Sequence, residues 1–539
     1  MVIKISLILV LLSILPDNFK ALADVDDQNN YNNDATLSSI KFSNYLGLNA
    51  VSSSRSSGCN TQAKSSESTK RQAMLHKEED VDADISVKPR EQSVKLHLKR
   101  WPVSHGTKSK ASAFDSTARD LARIQILYRR ITEKKNQNTI SRKGREQPVS
   151  STASISGNLI ATLKSGASLG SGEYFMDVFV GTPPRVFSMI LDTGSDLNWI
   201  QCVPCHDCFE QNGPHYDPNG SSSFRHINCH DPHCQLVSSP DPPRHCNTEN
   251  KTCPYFYWYG DGSNTTGDFA LEKFTVNLSN PSGRQNIKQV VDIMFGCGHW
   301  NRGKFHGAAG LLGLGRGPLS FTSQLQSSYG NSFSYCLVDI NSNTSTTSKL
   351  IFGENKELLN QPNVNFTSLI TGKESLDDTY YYLQIKSIMV GGEVLEIPEK
   401  VWDLSSEGAG GTIIDSGTTL TFFPNPAYNI IREAFREKIK GLPIKVDNTA
   451  LDLCYNASGV QEIEVPEFGI LFADGAVWNF PAENYFYQYD QEGVVCLAIL
   501  ETPHSALSIL GNYLQQNFHL VYDTNKSRLG YSPTRCAEL

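Results

Sequence analysis

Two short segments of the sequence share a pattern of side chains that could perform acid–base chemistry. Each is an apolar run that ends in an aspartate and continues with a hydroxyl residue, a glycine and a second hydroxyl residue. The two copies are Asp192-Thr193-Gly194-Ser195 and Asp415-Ser416-Gly417-Thr418. A single Asp-Thr-Gly is a common turn sequence, whereas two copies in one chain predict two related lobes that bring the aspartates face to face.

An aspartate that precedes a tight turn, which glycine permits, would project its carboxylate from the end of a strand. Backbone N–H groups and the hydroxyls of Ser195 and Thr418 could then hydrogen-bond the carboxylates and fix their plane. Two carboxylates about 3 Å apart share one proton and titrate as a pair. The charged member can take a proton from water while the protonated member donates to a carbonyl. This predicts hydrolysis by general acid–base catalysis without a metal, a cofactor or a covalent intermediate.

The residues around these two segments predict mostly strands. From about residue 166, short apolar runs such as 174–180, 186–191 and 518–522 alternate with turns rich in Gly, Pro, Asn and Ser. Helical periodicity is scarce apart from residues 426–439. We therefore expect a mostly β body of two lobes with the active site in the cleft between them. With 39% hydrophobic and 19% charged residues, the composition excludes a coiled coil, a collagen and a wholly disordered chain.

Twelve of the 13 cysteines lie in this body, and seven of them crowd into residues 202–253. An even number of cysteines behind a secretory signal predicts disulfides. Zinc ligation is the alternative, because three of these cysteines have the Cys-x2-Cys-x2-Cys spacing of zinc ligands; we favour disulfides and expect no metal. The disulfide candidates are Cys202, Cys205, Cys208, Cys229, Cys234, Cys246, Cys253, Cys297, Cys336, Cys454, Cys496 and Cys536.

Eight Asn-x-Ser/Thr sequons also fall in the body, and none falls in the first 165 residues. They can be glycosylated only where they are exposed on a protein that enters the secretory route. The glycosylation candidates are Asn219, Asn250, Asn264, Asn277, Asn343, Asn365, Asn456 and Asn525.

The start of the chain has the pattern of a secretory signal. Lys4 precedes an apolar run at residues 5–15, and Ala21-Leu22-Ala23 follows as a small-residue cleavage site. The run is too short to span a membrane. Residues 24–85 are rich in Ser, Asn and Asp, which predicts disorder.

Residues 86–146 form a basic segment in front of an acidic body. They hold 16 Lys and Arg against 5 Asp and Glu, a net charge of +11, whereas residues 147–539 hold 24 against 40, a net charge of −16. Behind a signal peptide this asymmetry favours an internal partner over nucleic acid. One amphipathic helix is predicted here, with Asp115 or Ser116 as its cap and apolar residues at Leu121, Ile124, Tyr128 and Ile131. The segment is either a solvated linker or a removable pro-segment that docks on the body.

In these features residues 170–539 resemble the pepsin-like aspartic proteases. The resemblance implies that Asp192 and Asp415 are the catalytic dyad. It also implies a substrate-covering flap with Tyr259, Gly260 and Asp261, and a Trp199 side chain that hydrogen-bonds the flap tyrosine. Gly310-Leu311-Leu312-Gly313-Leu314-Gly315 and Ser508-Ile509-Leu510-Gly511-Asn512 resemble the elements that brace the two catalytic loops from below.

Further details resemble the nepenthesin-type plant aspartic proteases. The cysteine-rich insertion at 202–253 lies between the first aspartate and the flap, as in that group. The 124 residues after Asp415 are too few for the saposin-like insert of the vacuolar plant enzymes. This resemblance implies a disulfide between Cys454 and Cys496.

The resemblance implies a secreted aspartic endopeptidase, made as a zymogen, that acts on polypeptides as a monomer in the apoplast or the vacuole. No cofactor, nucleic acid or membrane anchor is expected. The alternative is a pepsin-fold binding protein that inhibits cell-wall hydrolases without cleaving peptides. Cleavage of the pro-segment is expected between Arg145 and Ser171. The predicted organisation is a signal peptide at 1–23, a pro-segment at 24–165, an N-terminal lobe at 166–370 and a C-terminal lobe at 371–539.

Overall fold

The structure is a computed structural model, and it describes fifteen stretches of the chain. They are residues 92–97, 120, 123, 158–169, 171–237, 251–259, 262–279, 285–340, 342–343, 345–370, 379–404, 410–445, 451–488, 493–503 and 507–539. All of these residues belong to one compact unit, Ile85–Leu539. The predicted signal peptide and the predicted disordered segment lie outside the described residues.

Strands dominate the described residues, as the short apolar runs predicted. The first half of the chain contributes β1 (Ser93–His97), β2 (Leu159–Ser165), β3 (Tyr174–Val180), β4 (Arg185–Asp192), β5 (Trp199–Gln201), β6 (Arg225–His226), β7 (Cys253–Trp258), β8 (Asn264–Ser279), β9 (Gln285–Arg302), β10 (Gly310–Gly313), β11 (Phe333–Cys336), β12 (Thr347–Phe352) and β13 (Asn365–Ile370). Two helices accompany them, α1 (Phe321–Tyr329) and α2 (Lys356–Leu359).

The rest of the chain is also rich in short strands. Its strands are β14 (Tyr382–Leu383), β15 (Ile385–Val390), β16 (Glu393–Val394), β17 (Thr412–Ile414), β18 (Thr421–Phe423), β19 (Ile444–Lys445), β20 (Cys454–Asn456), β21 (Glu462–Pro466), β22 (Phe468–Phe472), β23 (Val477–Phe480), β24 (Phe486–Gln488), β25 (Val494–Leu497), β26 (Ile499–Glu501), β27 (Ser508–Leu510), β28 (Phe518–Asp523) and β29 (Arg528–Pro533). The helix predicted at 426–439 is α3 (Ala427–Lys438), which buries Tyr428, Ile431 and Phe435 at helical spacing.

Six strands of the large sheet form an antiparallel layer that joins the early and late parts of the chain. Their order is β2-β12-β11-β28-β29-β13, so β28 and β29 from the end of the chain lie between strands β11 and β13. Aromatic packing reinforces the junction, since the rings of Phe333 on β11 and Tyr522 on β28 stack with centroids 4.4 Å apart. The lobes are therefore joined by a shared sheet and not by a linker alone.

Strand β2, which precedes residue 166, the predicted start of the N-terminal lobe, lies in the large sheet of the body. Strand β2 pairs with β12 and with β3, and its alternate residues Leu159, Ala161 and Leu163 are fully buried. The period of two places these side chains on one face of the sheet. Residues 159–165 are thus part of the core of the body.

In its described part, residues 202–237 and 251–253, the cysteine-rich insertion contains only short regular elements, which are β6, two 3-10 helices (Pro218–Gly220 and Pro232–Leu236) and the first residue of β7. Disulfides join Cys202 to Cys297, Cys205 to Cys208 and Cys234 to Cys253, and Cys229 is disulfide-bonded as well. Two more disulfides close the rest of the body, Cys336–Cys536 and Cys454–Cys496. The last is the pairing that the resemblance implied. Because Cys205 and Cys208 are bonded to each other, their sulfurs are not free thiolates for the zinc alternative.

A buried carboxylate also holds the insertion to the body. Glu272 on β8 is fully buried and accepts hydrogen bonds from the hydroxyls of Tyr216 and Ser223, the latter at 2.5 Å. The backbone N–H of Lys273 donates to the same carboxylate at 2.6 Å. A buried charge that is hydrogen-bonded in this way is tolerated, whereas removal of its partners would leave it unsatisfied.

Among the described residues, no helix has the length and apolar character needed to cross a membrane.

Candidate active site

The two aspartates lie at the carboxyl ends of equivalent strands in the two lobes. Asp192 ends β4, which runs parallel to β10, and Asp415 follows β17, which runs parallel to β27. Strands β10 and β27 belong to the two bracing segments that the resemblance singled out. Each aspartate therefore leaves a central strand at the same relative position, and both side chains are fully buried.

Crossed hydrogen bonds join the two loops across the pseudo-twofold axis. The backbone N–H of Thr193 donates to the Ser416 hydroxyl at 3.0 Å, and the backbone N–H of Ser416 donates to the Thr193 hydroxyl at 2.9 Å. Each hydroxyl in turn donates to a carbonyl of the opposite strand, that of Leu191 at 3.0 Å and that of Ile414 at 3.5 Å. A serine in place of threonine keeps this arrangement, because only the hydroxyl takes part.

Each carboxylate accepts the same two local hydrogen bonds. Asp192 accepts from the Gly194 N–H at 2.9 Å and from the Ser195 hydroxyl at 2.6 Å. Asp415 accepts from Gly417 and Thr418 at the same two distances. These contacts give each oxygen of both carboxylates a local donor and hold both carboxyl groups in a fixed orientation.

The two glycines of the motif are required by close approach. A Cβ on Gly194 would lie 2.6 Å from Oδ1 of Asp415, and a Cβ on Gly417 would lie 2.2 Å from Oδ1 of Asp192. Each carboxylate is therefore packed against the glycine of the opposite loop, and any side chain there would push the aspartates apart.

An arginine from the basic segment lies on the dyad. Nη2 of Arg123 is 2.6 Å from Oδ1 of Asp192, and Nε of Arg123 donates to Oδ2 of Asp415 at 3.0 Å. The guanidinium is almost completely buried, with 9% of its side chain exposed. Planar guanidinium donors suit two carboxylates held side by side.

Asp120 provides a second contact from the same segment. It is fully buried and accepts from the backbone N–H groups of Thr419 at 3.0 Å and Leu420 at 2.8 Å, directly after the second catalytic loop. Asp120 and Arg123 are both helical and stand three residues apart, so they lie on one face of a helical turn. The rest of the helix predicted in this segment lies outside the described residues.

The two carboxyl groups differ in their pKa values although their local hydrogen bonds match. Burial raises the pKa of Asp192, but the positive charge of Arg123 and the hydrogen bonds from Ser195 and Gly194 outweigh it, so the pKa is lowered overall. Burial also raises the pKa of Asp415, and there Arg123 opposes it while the charge of Asp192 adds to it, so the pKa is raised overall. Opposite shifts favour one proton on the pair.

The aromatic residues expected at the flap are in contact. Nε1 of Trp199 donates to the hydroxyl of Tyr259 at 2.5 Å, and both side chains are buried. Phe209 and Phe305 pack against the Trp199 ring at centroid distances of 6.1 and 5.2 Å. This cluster links the cysteine-rich insertion to the flap strand β7. Gly260 and Asp261 lie outside the described residues.

Two contact residues of the site, Arg123 and Asp120, were not singled out from the sequence. The basic charge of residues 86–146 indicated that some cation of the segment would meet carboxylates, but 16 Lys and Arg are available there. The Asp-x-x-Arg spacing within the predicted helix is the signal that could have distinguished this pair, since it places an acceptor and a donor on one face.

Most of the sequons that the structure describes are accessible. Asn219, Asn343, Asn365, Asn456 and Asn525 are exposed, and Asn264 is partly exposed. Asn250 and the side chain of Asn277 lie outside the described residues, and so does Cys246.

The fold and the paired loops define a bilobal pepsin-like protein with a two-aspartate centre. Comparisons with known proteins agree: residues 174–354 match the family model described as xylanase inhibitor N-terminal, and residues 380–533 match xylanase inhibitor C-terminal. The chain is 42% identical over 382 residues to aspartyl protease family protein 2 of Arabidopsis thaliana, covering 71% of this chain and 74% of that protein. It is 40% identical over 369 residues to aspartic proteinase nepenthesin-2 of Nepenthes gracilis, covering 68% and 78%.

A solved structure shares the fold at lower identity. The crystal structure of edgp superposes with a TM-score of 0.57 at 20% identity, covering 71% of this chain and 96% of that one. On the strength of the sequence relatives, the chain belongs to the plant pepsin-like aspartic proteases of the nepenthesin type. It is an aspartic protease, and polypeptides are its substrates.

Proposed function

We propose that the chain is a secreted endopeptidase, made as a zymogen, in which Asp192 and Asp415 together activate water. The observation that carries the proposal is the pair of buried carboxyl groups that accept matched hydrogen bonds on equivalent loops. Disulfides between distant parts of the chain, such as Cys336–Cys536, support folding in an oxidising compartment.

In the proposed mechanism the dyad acts with one proton. One carboxyl group of the dyad, in its ionised form, takes a proton from a water molecule held between the two groups while the water oxygen attacks the scissile carbonyl carbon. The other carboxyl group, in its protonated form, donates to the oxygen of the scissile carbonyl. In the second step the group that took the water proton gives it to the amine nitrogen as the C–N bond breaks, and the other group takes back a proton from a hydroxyl of the tetrahedral intermediate. The hydroxyls of Ser195 and Thr418 keep both carboxyl groups in plane during the transfer, and the Tyr259 flap covers the bound peptide and excludes water.

The alternative function is inhibition of a cell-wall hydrolase by an inactive member of the fold. The family models that match carry the xylanase inhibitor description, which keeps this alternative relevant. The intact dyad argues against it, because both aspartates, both glycines and both crossed hydroxyls are present and in contact.

Cleavage of a denatured protein separates the two functions. We expect the acid-treated protein to digest denatured substrate at pH 3–4 and to lose this activity with pepstatin, an inhibitor of two-aspartate proteases. A preparation that is folded, carries no residues before 145 and still digests nothing would overturn the endopeptidase proposal.

We also propose that the basic segment is an intramolecular inhibitor that acts through Arg123. With its guanidinium on both carboxylates, neither a water molecule nor a substrate carbonyl could approach the dyad. Asp120 would hold the same helical turn against the backbone of Thr419 and Leu420. The precursor would then be inactive until this turn leaves the cleft.

The inhibitory contact should weaken in acid. Although burial raises it, the pKa of Asp192 is lowered on balance by Arg123, so this contact stabilises the closed state above the ordinary aspartate pKa of about 4. That stability is lost as the pH falls through the lowered folded-state value. Processing should therefore be fast at pH 3 and slow at pH 7.

The position of β2 narrows the expected cleavage site. Because residues 159–165 are a buried strand of the body, we expect the mature protein to begin between residues 146 and 158. Incubation of the precursor at pH 3 and pH 7, followed by N-terminal sequencing, tests this. Arg123→Gln should allow processing at pH 7, whereas Arg130→Gln, the same charge change in the same segment, should not. Equal processing of the unmodified precursor at both pH values would contradict the acid-released contact.

A further inference from the structure

A second part of the basic segment is bound to the C-terminal lobe as a β-strand. Strand β1 pairs antiparallel with β21 over five residues, from Ser93 opposite Pro466 to His97 opposite Glu462. The two form a sheet of their own, and among the described residues β21 has no other strand partner. The backbone hydrogen-bonding groups at the edge of β21 are therefore paired with residues of the predicted pro-segment.

The pairing has the side-chain alternation of a strand packed on a core. Leu96 is 5% exposed and belongs to the main hydrophobic core together with Ile463 and Val465, and Val94 packs against the same core. Lys95 points the other way, 64% exposed, with its ammonium 2.6 Å from the Glu462 carboxylate. Such an exposed ion pair contributes little, so the buried face and the backbone hydrogen bonds hold the strand.

The end of the strand is held by a further pair of backbone hydrogen bonds. The N–H of Gln92 donates to the carbonyl of Gly391, and the N–H of Glu467 donates to the carbonyl of Gln92, both at 3.2 Å. The Gln92 side chain lies over Gly392, where a Cβ would come within 3.1 Å of its atoms. This contact with the turn between β15 and β16 extends the docking surface beyond the two-stranded sheet.

Removal of β1 would leave an unfavourable surface on the C-terminal lobe. The backbone groups of β21 would lose their partners, and Ile463 and Val465 would lose the residues opposite them on β1, Leu96 and Val94. An unpaired edge with apolar side chains readily accepts another strand. Nothing in these contacts involves the dyad, so release of Arg123 from the carboxylates does not by itself release β1.

We infer that the edge of β21 is a strand-binding site whose occupant, residues 92–97 of this chain, stays bound as a separate polypeptide after the chain is cut between β1 and the body. For the mature enzyme this inference rests on the proposed removal of the pro-segment. The mature protein would then be a two-chain complex, in which the leading fragment is bound to the C-terminal lobe and the cleft is open.

The test is made independent of the protein's own proteolysis. The full chain carries Asp192→Asn and a recognition sequence for a site-specific protease inserted between Gly106 and Thr107, so that the cut separates β1 from Arg123 and the body. After cleavage at pH 7, size-exclusion chromatography and intact-mass measurement show whether the leading fragment elutes with the body. We expect nearly stoichiometric co-elution. Elution of the fragment on its own would overturn the inference, whether or not the protein is a protease.

Two variants on opposite faces of β1 sharpen the result. Leu96→Asp should reduce the retained fragment by at least about tenfold, because it places a charge in the core, whereas Lys95→Ser on the exposed face should change retention by less than about threefold. A synthetic peptide of residues 90–99 should displace the fragment from the unmodified complex, and its Leu96→Asp form should not. This competition needs no variant protein, so it holds if Leu96→Asp impairs folding. Equal displacement by both peptides would contradict a side-chain-specific strand site.

Discussion

The two aspartate loops and the cysteine-rich insertion, which begins soon after the first loop in the chain, are stabilised in different ways. The loops at Asp192 and Asp415 are buried, contain no cysteine and are held by hydrogen bonds that cross between the lobes. The described part of residues 202–253 has only short regular elements and mostly exposed or half-buried side chains, and it is held by disulfides.

This difference follows from the kinds of residue that each region contains. At the buried aspartate loops the loss of a single hydrogen bond is costly, because it leaves a buried polar group unsatisfied. The insertion has few apolar residues to bury, so cross-links replace a core. The geometry of the aspartate loops should therefore be disturbed when a single hydrogen-bonding atom is removed. The insertion should instead lose its structure when its disulfides are reduced.

The largest effect is expected at the dyad. Asp192→Asn or Asp415→Asn should lower proteolysis by several orders of magnitude while the fold stays intact, because either change removes the shared-proton pair. Asp292→Asn is the matched control. Asp292 is exposed and has a positive φ of 54°, a conformation that asparagine adopts readily. Activity above about a tenth of the original in either dyad variant would contradict the assignment.

Reduction should act on the insertion first. Each disulfide in such a region contributes about 2–5 kcal/mol to stability. With reductant at neutral pH, hydrogen exchange measured by mass spectrometry should rise in residues 202–253 before it rises at the catalytic loops. Free thiols in this stretch of the secreted protein, together with bound zinc, would favour the metal alternative instead.

Loss of the flap tyrosine should cost less than loss of an aspartate. Tyr259→Ala removes the hydroxyl that accepts from Trp199 and leaves its buried indole N–H without this partner. A cost of about 1–3 kcal/mol in positioning corresponds to about a tenfold to hundredfold fall in kcat/KM. Tyr259→Phe, which keeps the ring, separates the hydrogen bond from the packing. An effect of Tyr259→Ala as large as that of Asp192→Asn would mean that the tyrosine does more than position substrate.

The smallest effect is expected from the crossed hydroxyls. Ser416→Ala leaves the buried N–H of Thr193 without its acceptor, and we expect a loss of about 1–3 kcal/mol in the free energy of unfolding. Ser416→Thr restores the residue type of the first copy and should keep the stability. Thermal unfolding of both variants measures the difference. Equal melting temperatures for Ala and Thr at this position would show that the two loops are not held by this contact.

Much of the site followed from local sequence because its chemistry repeats. The two Asp-hydroxyl-Gly-hydroxyl segments and the bracing segments are contiguous, so their residue types alone predicted a mostly β, two-lobed fold, and the structure and the relatives confirm that fold. The helix α3 was also foreseen, because its apolar residues recur at a spacing that strands cannot use.

Other features depend on contacts between distant segments. Residues 159–165 alternate like many strands, but only the pairing with β12, nearly 190 residues later, makes them part of the body. The sequence alone did not place these residues in the body, since alternation shows a strand and not its partner.

The sequence by itself determined the paired Asp-hydroxyl-Gly-hydroxyl motif, the lobed β fold and the presence of a basic leading segment, because each is a property of composition or of a short motif. Only the tertiary structure decided that Arg123, among many cations, meets both aspartates, and that β1 pairs with β21. Electrostatic attraction acts at long range between opposite charges and selects no particular partner. A buried ion pair or a strand register, in contrast, requires matched geometry from both segments.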